Sequence, residues 1–170
     1  MTRRLTRRHQ SGDTRSSAIF SDCGDYRFAL TREWGQGLRL SFVMLNPSTA
    51  DHFRNDPTVA RCETRARDMG AGAFRVVNLF AFRATDPRDL RRADRPVGPG
   101  NDVTLRAAAR WADMTICAWG AHGDHRGRAA EVLNLLRRTG RPLFTLGLTK
   151  GGAPRHPLYL PRAQACEPWD

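Results

Sequence analysis

The sequence predicts an α/β protein, a three-layer sandwich in which helices cover both faces of a central, mostly parallel four-stranded sheet, with an N-terminal hairpin added at one edge. Three observations lead there. Short apolar runs alternate along the chain with stretches of helical periodicity, the pattern of strands joined by crossover helices. The runs are nearly continuous in apolar character, as strands covered on both faces must be. A length of 170 residues suits one domain with one compact core.

Residues 1–17 are polar and basic, with Arg3, Arg4, Arg7 and Arg8, and read as a flexible tail ahead of a single domain over 18–170. Residues 19–30 and 38–45 are apolar-rich and flank Trp34-Gly35-Gln36-Gly37, which reads as two strands joined by a turn. Within the second, Leu40-Ser41-Phe42-Val43-Met44-Leu45 is the first core strand. It stops at Asn46-Pro47, where proline offers the sheet no donor. A loop leads to a helix: Asp56 suits its N-cap, Pro57 its first turn, and Val59, Cys62, Ala66 and Met69 recur at helical spacing until Gly70. Residues 74–79 form the next strand and complete a strand-helix-strand unit.

The stretch 83–101 carries Pro87, Pro96, Gly98, Pro99 and Gly100 and is predicted as one long loop. Leu105, Ala108 and Ala109 mark a second helix, and Met114-Thr115-Ile116-Cys117-Ala118-Trp119 a third buried strand. Ala129, Val132, Leu133 and Leu136 share one face of a third helix, which Gly140 closes. A fourth strand covers 143–146. Residues 147–161 are rich in Gly and Pro and lack an apolar period.

The formal charge of +11 favours a polyanionic partner, because clustered basic side chains bind phosphates by releasing counterions. Nucleic acid leads that class. No stretch approaches the ~20 apolar residues of a membrane span. The basic N-terminal run lacks the apolar core of a signal peptide, and Cys23, Cys62, Cys117 and Cys166 show no C-x-x-C pairing. His9, His122 and His125 have no companions at metal-ligand spacing. A cytoplasmic monomer with reduced thiols, no metal and no other cofactor is expected.

Ligands of parallel sheets bind beyond the carboxyl ends of the strands. That rule selects Asn46 after the first core strand, Asn78 at the end of the second, Trp119-Gly120 after the third, and the loop with His156 after the fourth. Singly, the asparagines read as turn caps, Trp119 as a core aromatic and His156 as a loop residue. Their common placement favours one site.

The segments Met44-Leu45-Asn46-Pro47-Ser48-Thr49-Ala50-Asp51, Asn78-Leu79-Phe80-Ala81-Phe82-Arg83-Ala84-Thr85 and Arg155-His156-Pro157-Leu158-Tyr159 resemble the bacterial and phage domain-of-unknown-function family 1643. A more distant resemblance is to the uracil-DNA glycosylase superfamily. Asn46-Pro47 is similar to its water-positioning motif, Val76-Val77-Asn78 to the strand whose terminal Asn reads the base, Trp119-Gly120 to a Trp-Gly on the third strand, and His156-Pro157 to the His-Pro that opens its DNA-inserting loop. Two departures stand out: Met44-Leu45 replaces the glycine before the water motif, and Leu158-Tyr159-Leu160-Pro161 replaces a longer Ser-Pro stretch. The dispersed cysteines match no iron–sulfur ligand set.

The second resemblance implies a uracil-DNA glycosylase-like fold and cleavage of the N-glycosidic bond of a flipped-out, modified or damaged base in DNA. Asn46 would orient water, with Asp51, Asp56 or His52 as candidates for the missing base. Asn78 would read the base edge, and His156 would donate to the departing base. Phe53, Phe80 and Trp119 are candidates to stack on the base. Ser48, Arg83, Lys150, Arg155, Leu158 and Tyr159 are candidates for DNA contact, Leu158 or Tyr159 as a wedge. The rivals are a nucleic-acid reader without catalysis and an enzyme of free nucleosides or nucleotides.

Overall fold

A computed structural model describes residues 2–170. In chain order it contains β1 (Arg4–Ser11), β2 (Thr14–Ser21), β3 (Arg27–Glu33), β4 (Leu38–Met44), α1 (Pro57–Asp68), β5 (Ala71–Asn78), α2 (Pro87–Arg92), α3 (Asn101–Trp111), β6 (Met114–Cys117), α4 (Arg128–Arg137), β7 (Leu143–Thr145) and β8 (Glu167–Pro168). The strands form one mixed sheet of eight, ordered β1-β2-β3-β5-β4-β6-β7-β8. Its centre, β5-β4-β6-β7, is parallel. The strands on either side run antiparallel.

The α/β class follows from two apolar faces that alternate along each central strand. Leu40 and Phe42 of β4, with Phe74 and Val76 of β5, pack against Val59, Cys62 and Ala66 of α1. Val43, Val77 and Cys117 face the other way, against Leu105 and Ala108 of α3 and Val132 and Leu136 of α4. Helices therefore cover both faces. Because β4 connects to β5 through α1 on one face, while α3 and α4 serve β6 and β7 on the other, the loops after β4 and β6 diverge and leave a crevice beyond their carboxyl ends.

Several expectations need correction. The sheet has eight strands instead of four. The stretch 1–17 is no flexible tail over its described part: residues 4–11 pair with 14–21 around the Gly12-Asp13 turn. Both faces of β1 are largely exposed, so it needs no apolar alternation and leaves no such signal. Arg4 fastens it, donating from Nη1 to Thr104 Oγ1 at 2.8 Å and from Nη2 to the Gly100 carbonyl at 2.8 Å. The segment 19–30 joins the end of β2 to the start of β3.

Nor do β3 and β4 form a hairpin, because β5 lies between them. Residues 34–37 step across the start of β5, where Trp34 and Gly35 both donate their N–H to the Gly72 carbonyl. A side chain at Gly72 would meet the backbone of Gly35 and Gln36, so only glycine lets the link pass this close. The predicted loop 83–101 also contains α2, capped by Asp86. Among the described residues, no helix is long and apolar enough to cross a membrane.

Deleting residues 2–21 should lower the urea midpoint markedly or abolish soluble expression, because it strips β3 of a partner and takes the buried Ala18 and Phe20 out of the core. A detachable tail would leave the midpoint unchanged.

Candidate functional site

A cavity of about 820 Å³ opens beyond the carboxyl ends of the parallel strands. Its walls include Asn46, Ser48 and Thr49 after β4, Asn78 at the end of β5, Trp119, Gly120 and His122 after β6, and Arg155, His156, Leu158 and Tyr159 after β7. The four positions selected from strand ends thus share one space. Arg27, Asp56, Thr58, Thr85 and Thr149 complete its polar lining.

Asn46 follows β4 directly and is held by its amide nitrogen, which donates to the Ala84 carbonyl at 2.7 Å and the Pro47 carbonyl at 3.0 Å. Two carbonyl partners fix which end is nitrogen. Both amide hydrogens are spent, so what Asn46 offers a ligand is its carbonyl oxygen, an acceptor. Asn78 is 1% exposed, and its Oδ1 is buried without a hydrogen-bond partner. Such a group costs about 1–3 kcal/mol unless something completes it. Its backbone carbonyl is anchored separately, by Asn101 Nδ2 at 2.9 Å.

His156 reaches the same space because the loops after β6 and β7 lie on each other. Gly120 donates its N–H to the Pro154 carbonyl at 2.9 Å, and a Cβ on Gly120 would lie 3.5 Å from that of His156. Gly120 adopts φ 76° and ψ −171°, a conformation open to glycine alone. The Trp-Gly and His-Pro segments are thus parts of one contact. His156 Nδ1 accepts the Leu158 N–H at 3.2 Å, which leaves Nε2 to carry the proton of the neutral ring. Burial holds its pKa below 6.5, against a smaller upward pull from Asp56.

Asp56 is the one carboxylate lining the cavity. It caps α1, accepting from Val59 N at 2.9 Å through Oδ1 and from Ala50 N at 3.2 Å through Oδ2. Asp51 does not line the cavity. Its Oδ1 closes a turn by accepting from Phe53 N at 3.0 Å and Arg54 N at 2.8 Å. Burial pushes its carboxyl up, but these bonds outweigh that and hold it below the usual carboxylate range.

Other expected residues divide similarly. Trp119 is a wall residue, but 3% exposed, with its ring 5.8 Å from that of Trp169. Phe80 is fully buried in the core beside His125 and does not line the cavity. Phe53 is half exposed and lies outside it, against His52 and His9. Ser48 bonds Thr85 between their hydroxyls at 2.9 Å. Arg83 points away, donating to the carbonyls of Ser48 and Gly24. Lys150 is not a lining residue. Arg155, Leu158 and Tyr159 do line the cavity, and Tyr159 is 85% exposed at its mouth.

Arg27 is the residue the sequence reading missed. It precedes Phe28-Ala29-Leu30, and a charge set directly ahead of three apolar strand residues was the available signal. The model of the family described as a protein of unknown function (DUF1643) matches residues 27–158, a span that holds every wall residue named above except Tyr159. The chain belongs to this family. No curated protein and no solved structure matches it.

Two outcomes follow. Asn46→Asp should lose about 1–3 kcal/mol of stability in urea titrations, because a carboxylate would face the Ala84 and Pro47 carbonyls with no proton to give; Asn46→Ser should lose less. The pH dependence of stability carries the second. His156 has a folded pKa below the unfolded 6.5, so the unfolded chain binds more protons between the two values. Its contribution is complete above 6.5 and is lost as pH falls towards the folded value. Replacing His156 by Gln should flatten this segment of the curve, and an unaltered slope would rule out the buried neutral imidazole.

Proposed function

We propose that this protein is a base-excising hydrolase, which cuts the N-glycosidic bond of a modified or damaged base turned out of DNA. The observation that carries the reading is the meeting of Asn46, Asn78 and His156 in one cavity with ample room for a base, with the Asn78 amide oxygen buried and unpartnered. The resemblance of these positions to uracil-DNA glycosylases supports it.

Breaking the bond develops positive charge on the sugar and negative charge on the base. Asn78 presents an amide acceptor to the base edge, which favours a base with a ring N–H or exocyclic N–H at that point. The neutral His156 donates through Nε2–H to the departing base, a bond that strengthens as charge arrives. Asn46 accepts from water through its free carbonyl oxygen and so orients it. Tyr159 and Leu158 flank the mouth, where an exposed aromatic can occupy the gap left by an extruded base. Arg155 and the net charge of +11 suit the phosphate backbone.

One observation favours a second reading, that of a base reader without catalysis: both oxygens of Asp56, the cavity's carboxylate, are engaged by backbone N–H groups. Weak activation of water fits excision only where departure of the base runs ahead of attack. The two readings differ in product.

The test is incubation of the purified protein with single- and double-stranded oligonucleotides carrying varied bases, followed by scoring of abasic sites. One or more bases should be excised. Rates should fall roughly 10²–10³-fold in His156→Ala and by a similar order in Asn78→Ala. Salt-dependent binding with no abasic product, or full activity in both variants, would refute excision; cleavage of free nucleosides alone would transfer the site to a nucleoside enzyme.

A further inference from the structure

Arg27 stands at the start of β3, is 1% exposed and lines the cavity. Its Nη1 donates to the Ala50 carbonyl at 2.9 Å, while Nε is buried without a partner. It makes no ion pair among the described residues. Arg128 shows the contrast: its side chain is equally hidden, yet it pairs with Asp102 at 2.6 Å and Glu131 at 3.1 Å. Arg32 and Arg65 also keep one buried nitrogen free, but each has at least two carbonyl partners, and neither lines the cavity.

A buried cation without an anion is costly, because no counter-charge offsets its desolvation. Burial lowers the Arg27 pKa to about 10, partly opposed by Asp56 and reinforced by Arg83 and Arg32. It stays protonated at neutral pH all the same. Asp56 does not serve as its counter-ion at contact distance, having given its oxygens to Val59 and Ala50. Among the lining residues the positive charges are Arg27 and Arg155, and Arg155 lies exposed at the rim. The buried part of the lining, the deep end of the cavity, therefore holds a fixed positive charge as well as the unpartnered amide oxygen of Asn78.

We propose that Arg27 makes the deep end of the cavity an anion site, which takes up the negative charge a base acquires as it leaves. This assignment rests on the excision reading for its role, though not for its binding chemistry. In the step, the bond between the sugar C1′ and the base nitrogen breaks and leaves its electron pair on the base. The water oxygen bonds to C1′, and the proton that water sheds ends on the base nitrogen. Arg27 remains protonated throughout and acts by donation and charge. It shares the leaving-group charge with His156, whose neutral ring contributes a donor but no net charge.

The test is calorimetric binding of two free bases at about pH 8, where uracil is neutral and 5-nitrouracil is an anion. The intact chain should bind the anion more tightly than uracil. In Arg27→Gln that selectivity should fall at least about tenfold, with uracil affinity nearly unchanged, and Arg27→Lys should restore part of it. Equal selectivity in Arg27→Gln overturns the assignment. If that variant does not fold, the intact chain decides alone: preference for uracil, or no binding of either base, overturns it. Anion selectivity that depends on Arg27 without any cleavage of DNA would defeat excision and leave the anion site standing, and the reverse pattern would do the opposite.

Discussion

The site depends on the need to satisfy the backbone of a partly buried, irregular loop. Residues 46–56 leave the sheet as an extended link, so their carbonyls and amides lack the partners that a helix or ladder supplies. The peptide between β4 and α1 is instead gripped at Ala50 from both sides: Arg27 donates to its carbonyl, and Asp56 accepts from its N–H. Asp56 also caps α1, which ties the wall of the cavity to the helix behind it. Arg32 serves the carbonyls of Asp51 and Arg54, and Asn46 reaches across to Ala84. A wall held by so many charge-assisted bonds is rigid before any ligand arrives.

This use of arginine changes how the charge should be read. The total of +11 suggests a polyanion, yet much of it is spent inside the molecule. Arg4 fastens the hairpin to α3, Arg65 binds the carbonyls of Pro161 and Gln164, and Arg126 those of Ala93 and Asp94. An arginine can satisfy several carbonyls at once through a planar fork, which lysine cannot do. The near absence of lysine is thus consistent with architecture as well as with phosphate binding. Net charge alone overstates the nucleic-acid footprint, and the surface share of Arg155 and the exposed hairpin counts for more.

What was legible in the sequence was local. The continuous apolar runs of β4, β5, β6 and β7 reveal strands covered on both faces, and Asp56-Pro57 marks the start of α1. Because the position of a strand's end follows from its pattern, Asn46, Asn78, Trp119 and His156 could be placed on one rim. What was hidden was non-local. Nothing in 27–33 says that β3 pairs with β5 instead of β4, since the choice is made by a crossing that only Gly72 permits. Apolar residues near the rim are equally mute: Phe80 and Phe53 have the same chemistry, yet one fills the core and the other meets solvent. Asp51 and Asp56 lie in one loop, and only their backbone partners separate turn from cavity wall.

The polar groups of the cavity are also unevenly divided in chemical type, and this bears on which half of a hydrolysis the protein would assist. His156 and Arg27 are donors towards the interior, and Asn78 adds an amide that no protein group completes. Acceptors fit to activate water are scarce, because Asp56 is committed to backbone and Asn46 can orient without taking a proton. A reaction in which the nucleophile must be strong would be poorly served here. A reaction limited by departure of a base, where water meets an already electron-poor sugar, needs negative charge absorbed at depth and little more than alignment at the other end. On the proposed reading, an amide at Asn46 in place of a proton acceptor is then tolerable, because the larger share of the barrier falls on the side of the cavity that carries the donors.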